Sequence, residues 1–167
     1  LSGTKLSSIP RQLGRGQPIE LSKLQQMLQP DEMIVEYALA SPRSHCLLID
    51  KNQTRAIALP VRDRVEGLVD RYLAQVRSKK SAQEPARELY SVLLEPVTKD
   101  INARHLIVVP DGKLHLLPFD ALIDRRGDYV LARTVVTYSP SATVLHLLRT
   151  QPENAATDVP LLAIGDV

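Results

Sequence analysis

The sequence contains a single thiol that could act as a nucleophile, Cys46, with His45 beside it. A cysteine nucleophile needs a base within hydrogen-bonding distance to generate the thiolate. The surrounding residues alternate like a β-strand, and adjacent strand residues point to opposite faces, so these two side chains cannot form a dyad. Free cysteine is among the most buried residue types. We therefore predict that Cys46 is a small hydrophobic residue inside a strand.

The other histidines give no recognisable site. They share no short spacing of the kind found in metal-binding motifs, so we predict no metal site. His115 lies between two leucines, His146 falls in a predicted helix and His105 flanks a predicted strand. Each would approach Cys46 only through the tertiary fold. The sequence therefore assigns no catalytic residue, and it predicts no cofactor.

Ser139 is the candidate hydroxyl nucleophile, because it follows an apolar run, where reactive groups gather in α/β sheets. The Gly-x-Ser-x-Gly pattern of a nucleophile elbow is missing around it. Residues 139–141, Ser-Pro-Ser, instead resemble a helix N-cap with proline near the first turn. A small hydrolase that uses Ser139 or Cys46 is therefore the least favoured of three hypotheses.

Pro110-Asp111-Gly112 follows another apolar run and predicts a tight turn. Proline fixes the backbone that enters the turn, aspartate can accept a bond from the backbone two residues on, and glycine tolerates positive φ. A phosphate cradle would need several glycines at a helix start, and Lys113 alone does not complete one. We therefore expect a structural turn.

The composition excludes several classes of protein. The 167 residues correspond to about one domain, and 44% hydrophobic with 24% charged residues is typical of a globular chain. The net charge is only +2, and the basic clusters at 77–80 and 125–126 have no interleaved aromatics, so we predict no nucleic-acid partner. No apolar run approaches about 20 residues, so we predict no membrane association.

A lone cysteine and the lack of a signal-peptide pattern favour the cytoplasm. The start at Leu1 suggests that the sequence is a piece of a longer protein.

The first half of the chain predicts an arm, a helix and a group of strands. Residues 1–18, rich in glycine, proline and serine, are typical of a linker or arm. A short helix is predicted at 20–29. Three strands joined by tight connections, at 33–39, 45–50 and 54–59, favour an antiparallel meander.

Two helices follow the meander. The first, at 61–77, has a broad apolar stripe with a period of 3.6 residues. The second begins near Pro85, and Pro96 must kink or divide it because proline cannot donate to the carbonyl four residues back. A further short helix is predicted at 118–122, where Phe119 is expected to pack in the core.

The last part of the chain alternates strands and helix. Apolar runs at 106–109, 134–138 and 161–164 fit strands covered on both faces, as in parallel sheets. A helix at 141–149 and a linker at 151–160 separate the last two. We therefore predict an α/β fold, with a mixed sheet that combines an N-terminal antiparallel meander with a parallel, helix-flanked half.

Several short motifs, in this order and spacing, resemble the CHAT domain (caspase-like, HetF-associated with tetratricopeptide repeats). Upstream, LQPDE at 28–32 leads into VEY at 35–37. The remaining motifs are LYSVLLEPV at 89–97, HLIVVPDGKL at 105–114, LPFDAL at 117–122, YSPSAT at 138–143 and a closing LAIG strand.

The resemblance implies a caspase-like fold and a cysteine protease of the caspase clan, related in fold to separase. In that family a thiolate attacks a peptide carbonyl, a histidine is the base and backbone donors hold the oxyanion. Its dyad comes from a His-Gly segment and a later cysteine segment, both downstream of the strand predicted at 161–164. The resemblance therefore carries no catalytic residue into this sequence. It implies that residues 19–167 are the N-terminal, pseudo-caspase-like part of a CHAT domain, truncated at its C-terminal end.

Two further hypotheses follow from the resemblance. The first is a non-catalytic scaffold or regulatory half of a cysteine endopeptidase, inactive alone, whose peptidase half follows Val167. The alternative is a protein-interaction module with no protease activity in the parent. The expected partners are the catalytic half of the same protein, upstream tetratricopeptide repeats and a protein substrate of the parent. We also expect the isolated chain to self-associate through apolar surface along its final strand.

Overall fold

The computed structural model describes residues 19–98 and 104–150. The helices in these ranges are α1 (Leu21–Met27), α2 (Arg62–Arg77), α3 (Gln83–Leu93), α4 (Glu95–Thr98) and α5 (Ala142–Thr150). The strands are β1 (Glu32–Ala38), β2 (Ser44–Ile49), β3 (Thr54–Leu59), β4 (His105–Val109) and β5 (Val135–Tyr138). Three 3₁₀ helices connect β4 to β5: Gly112–Leu116, Phe119–Ala121 and Val130–Ala132. The arm predicted at 1–18, the linker at 151–160 and the strand at 161–164 lie outside the described residues.

The described strands form one mixed sheet in the order β3-β2-β1-β4-β5. β1, β2 and β3 pair antiparallel, whereas β4 runs parallel to β1 and β5 runs parallel to β4. The predicted α/β fold, with a meander and a parallel half, is confirmed. The Asp50 carboxylate accepts bonds from the amides of Asn52 and Gln53, at 2.7 and 2.8 Å. An aspartate therefore closes the β2–β3 turn, which lacks a glycine.

Helices cover both faces of the sheet, so the described chain has three layers. The main core packs α2 and α3 on one face, and its members include Val35, Leu48, Val65, Leu89, Leu106 and Phe119. A smaller core packs α1 and α5 on the other face, and its members include Leu24, Leu28, Ile34, Ile107 and Ala142. Because β4 contributes alternate side chains to the two cores, it lies at the centre of the molecule.

The long helix α2 follows the predicted apolar stripe. Its buried side chains recur at helical spacing: Val65, Leu68, Val69 and Tyr72. Asp63 in the first turn and Arg77 in the last turn carry charges that complement the helix dipole. No helix in the described ranges is both long and apolar enough to cross a bilayer.

Proline sets the bounds of α3 and α4. α3 begins at Gln83, two residues before the predicted start, and Pro85 lies in its first turn, where an amide has no helical partner to lose. Pro96 divides the helix as predicted, because α3 ends at Leu93 and α4 starts at Glu95. Pro118 precedes the predicted short helix, which is present as Phe119–Ala121 with Phe119 fully buried.

β5 differs from the prediction that the apolar runs are strands covered on both faces. β4 meets that prediction, since residues 106–109 are at most 3% exposed. In β5, by contrast, Val135 is 62% and Tyr138 is 49% exposed. An apolar run of four residues does not show whether other elements cover both faces of a strand.

Candidate functional site

The one cysteine is sealed inside the main core. Cys46 pairs with Tyr37 of β1 and Ile57 of β3, and none of its surface is exposed. Burial raises the pKa of the thiol to about 12, and the negative charge of Glu36 adds to the shift. At neutral pH the sulfur is therefore protonated, and a peptide carbonyl cannot reach it. The prediction that Cys46 is a buried strand residue is confirmed.

The histidines lie on separate elements. His45 is exposed on the face of β2 opposite to Cys46. His105 starts β4, His115 belongs to the first 3₁₀ helix, and His146 is in α5 with its buried Nδ1 unpaired among the described atoms. The buried cluster that contains Cys46 includes no described histidine. The fold therefore brings none of them to the thiol in the described ranges.

The Ser139-Pro140-Ser141 segment caps α5, but the capping residue is Ser141. The Ser141 hydroxyl accepts a bond from the amide of Val144 at 3.1 Å, as an N-cap does. Ser139 is 4% exposed, and its hydroxyl donates to the carbonyl of Ser141 at 2.8 Å. This contact ties the end of β5 to the start of the helix. It also occupies the hydroxyl proton that a base would have to remove from a serine nucleophile.

A charged cluster joins the sheet to α5 at the end where the parallel strands begin. Both carboxylate oxygens of Glu32 accept bonds from the Arg149 guanidinium at 2.7 Å, and Glu32 also accepts one from the amide of Gln29 at 2.9 Å. His105 lies 3.2 Å from the same carboxylate and 2.9 Å from the Thr137 hydroxyl. The Arg149 hydrogen bonds outweigh desolvation and lower the pKa of Glu32 to about 2. This cluster anchors α5 to the sheet, and no local sequence pattern indicates it.

Asp111 has a different role from the one predicted for it. Its carboxylate accepts a bond from the amide of Leu39, at the end of β1, at 2.7 Å and lies 3.3 Å from the Arg62 guanidinium. The sequence predicts that Asp111 accepts a bond from the backbone two residues further on, but its contacts are instead with Leu39 and Arg62. Gly112 adopts φ +55°, as predicted, and a Cβ at that position would overlap the Glu66 carboxylate. The turn is therefore clamped between β1 and α2.

Lys113 is paired rather than free to hold a phosphate. Its ammonium lies 2.5 Å from the Asp70 carboxylate on α2, which raises the pKa of Lys113. Together with the Asp111 contacts, this pair fixes the first 3₁₀ helix along α2. The carboxyl ends of β1 and β4 are thus joined by internal contacts at the position where α/β enzymes place reactive groups.

An open groove of about 470 Å³ lies between the C-terminal half of α2 and the first two 3₁₀ helices. Its lining is mainly apolar and aromatic: Tyr72, Leu73, Val76, Leu116, Leu117, Pro118 and Tyr138, with His115 and Asp120. We call it the Tyr72–Tyr138 groove. The Tyr138 hydroxyl accepts a bond from the Phe119 amide at 2.8 Å and lies 3.4 Å from the Asp120 carboxylate. Burial raises the pKa of both tyrosines, and the charge of Asp120 raises each of them further.

Two of these features carry no local sequence signal. The Glu32–Arg149 pair joins residues 117 positions apart, and the groove is assembled from four separate elements: α2, the first two 3₁₀ helices and β5. The described residues include no group of three or more histidine, cysteine or acidic side chains that could hold a metal ion.

The fold and these contacts define a three-layer α/β domain whose described part holds no assembled pair of nucleophile and base. Residues 83–167, more than half of the chain, match the family model of the CHAT domain. The chain therefore belongs to the CHAT domain family, a caspase-like family. The match begins at the first residue of α3, after the meander and α2. A search of curated proteins finds no match.

Proposed function

We propose that this chain is the non-catalytic N-terminal portion of a caspase-like CHAT cysteine protease, and that it is a scaffold and regulatory half for a peptidase half located after Val167. The observation that carries the proposal is the burial and the raised thiol pKa of Cys46. A caspase-like peptidase needs an accessible thiolate, whereas the one cysteine of this sequence is fully buried with its thiol pKa raised to about 12. The reactive thiol must then come from another stretch of polypeptide.

The contacts at the carboxyl edge of the sheet support a scaffold role. Asp111 bonds the end of β1, Lys113 bonds α2, and Ser139 bonds the start of α5. These three side chains are therefore already paired within the chain. Such an edge suits a structural support better than a reaction centre, where polar groups converge on a substrate.

The alternative is a protein-interaction module whose parent has no protease activity. Exposed apolar side chains near the end of β5 favour it, because Leu116 and Tyr138 line the same groove and are each about half exposed or more. Contiguous apolar surface of this kind marks interaction sites. Under either hypothesis we propose a cytoplasmic protein whose partners are polypeptides, namely the remainder of its own chain and upstream tetratricopeptide repeats.

The experiment uses the gene that encodes this chain. We expect the sequence after Val167 to contain a His-Gly segment and, later, a cysteine segment; their absence would favour the interaction module. The purified 167-residue chain should not cleave a fluorogenic peptide library. Cleavage by that chain, abolished by Cys46→Ala, would overturn both hypotheses. The exposed residue His45 provides a matched control, because His45→Ala should not change the rate of peptide cleavage.

A further inference from the structure

We propose that the Tyr72–Tyr138 groove binds a peptide segment that carries an arginine or lysine next to an apolar residue. The groove plays no part in the scaffold role proposed above, and none of the internal clamps at the carboxyl edge fills it. It lies beyond the end of β5, on the face of the sheet that carries α2. The apolar walls of the groove and the charge of Asp120 indicate the kind of occupant.

The groove walls suit an apolar side chain and the stem of a long cation. Val76 of α2 and Leu116 of the first 3₁₀ helix are about half exposed along it, and Leu117 and Pro118 also line it. Burying such side chains against a partner removes apolar surface from water. Arginine and lysine pack their methylene stems on surfaces of this kind while the charged head reaches a polar group.

Asp120 supplies the charge complementarity. Asp120 is the one carboxylate that lines the groove. It has no cation among its described contacts, and its carboxylate lies 3.4 Å from the Tyr138 hydroxyl. A guanidinium or ammonium in the groove would meet a carboxylate and lie against aromatic rings, an arrangement that attracts cations.

The test is fluorescence anisotropy with the 167-residue chain and fluorescein-labelled Gly-Val-Arg-Leu-Val-Gly. The control peptide has citrulline, the uncharged isostere, in place of arginine. We expect the arginine peptide to bind about tenfold more tightly than the citrulline peptide at low salt, and the difference to shrink at high salt. Equal affinity of the two peptides, or no binding of the arginine peptide at a millimolar concentration of the chain, would overturn the proposal.

Two matched variants test whether the Asp120 carboxylate attracts the arginine of the peptide. Asp120→Asn should weaken the arginine peptide about tenfold and leave the citrulline peptide unchanged, so that both bind alike. Asp63→Asn removes an exposed carboxylate in the first turn of α2 and should leave both affinities within about twofold. If Asp63→Asn has the same effect as Asp120→Asn, the attraction is a general effect of net charge and the proposal fails.

Discussion

Replacing Glu32 with glutamine removes one charge from the cluster that holds α5 to the sheet. The carboxylate has a folded pKa of about 2 against an ordinary value of 4.5, and each pKa unit corresponds to about 1.4 kcal/mol. The difference corresponds to about 3 kcal/mol of stability at neutral pH. Because the folded pKa is the lower one, the unfolded state binds more protons between these two values. The contribution is therefore complete above pH 4.5 and is lost as the pH falls towards 2.

The assay is urea unfolding of the unchanged chain and of Glu32→Gln at several pH values. We expect the free energies of unfolding to differ by about 2 to 3 kcal/mol at pH 7 and to converge below pH 3. Glu20→Gln is the control, because that side chain is 70% exposed and its surface pair should contribute under about 0.5 kcal/mol. Arg149→Met should reproduce the Glu32→Gln loss. A difference that stays constant from pH 7 to pH 3 would refute this reasoning.

Three further perturbations test other parts of the fold. Cys46 should react with a thiol reagent at pH 8 about a thousandfold more slowly in the native chain than in urea, and rapid native labelling would contradict its burial. Gly112→Ala should lower the free energy of unfolding by about 1 to 2 kcal/mol in thermal unfolding, because φ is +55° and the new Cβ would overlap Glu66. Gly67→Ala is the control: its Cβ would lie in open space on α2, so it should stabilise the chain slightly. The opposite order of stabilities would contradict the geometry. Tyr37→Phe should lower the free energy of unfolding by about 1 kcal/mol, because the buried Tyr37 hydroxyl donates to the carbonyl of Leu93, at the end of α3, at 3.0 Å. An unchanged free energy of unfolding would count against that hydrogen bond.

Local patterns predicted most of the described elements, because their causes lie within a few residues. The apolar stripe of α2, the division at Pro96 and the positive φ of Gly112 each follow from short-range stereochemistry. The burial of Cys46 also followed, since its residue type and its place in an alternating strand both favour the interior.

The remaining features depend on contacts between distant residues. Asp111 bonds Leu39 rather than its own turn, because folding brings the end of β1 beside it. The exposure of Val135 and Tyr138 on β5 depends on which elements pack over the strand, and an apolar run does not encode that. The groove needs Tyr72 and Tyr138 on facing elements, and no single-sequence pattern relates positions so far apart.

The most direct test of the proposed function uses the longer, peptide-cleaving parent protein that the proposal requires, and compares its kcat/KM with and without Cys46→Ala. If the catalytic thiol lies after Val167, the substitution should leave kcat/KM within about twofold of the unchanged protein, apart from any loss of folded material measured by circular dichroism. A folded Cys46→Ala parent with kcat/KM reduced by about a thousandfold would contradict the account, because the buried thiol of β2 would then be the nucleophile.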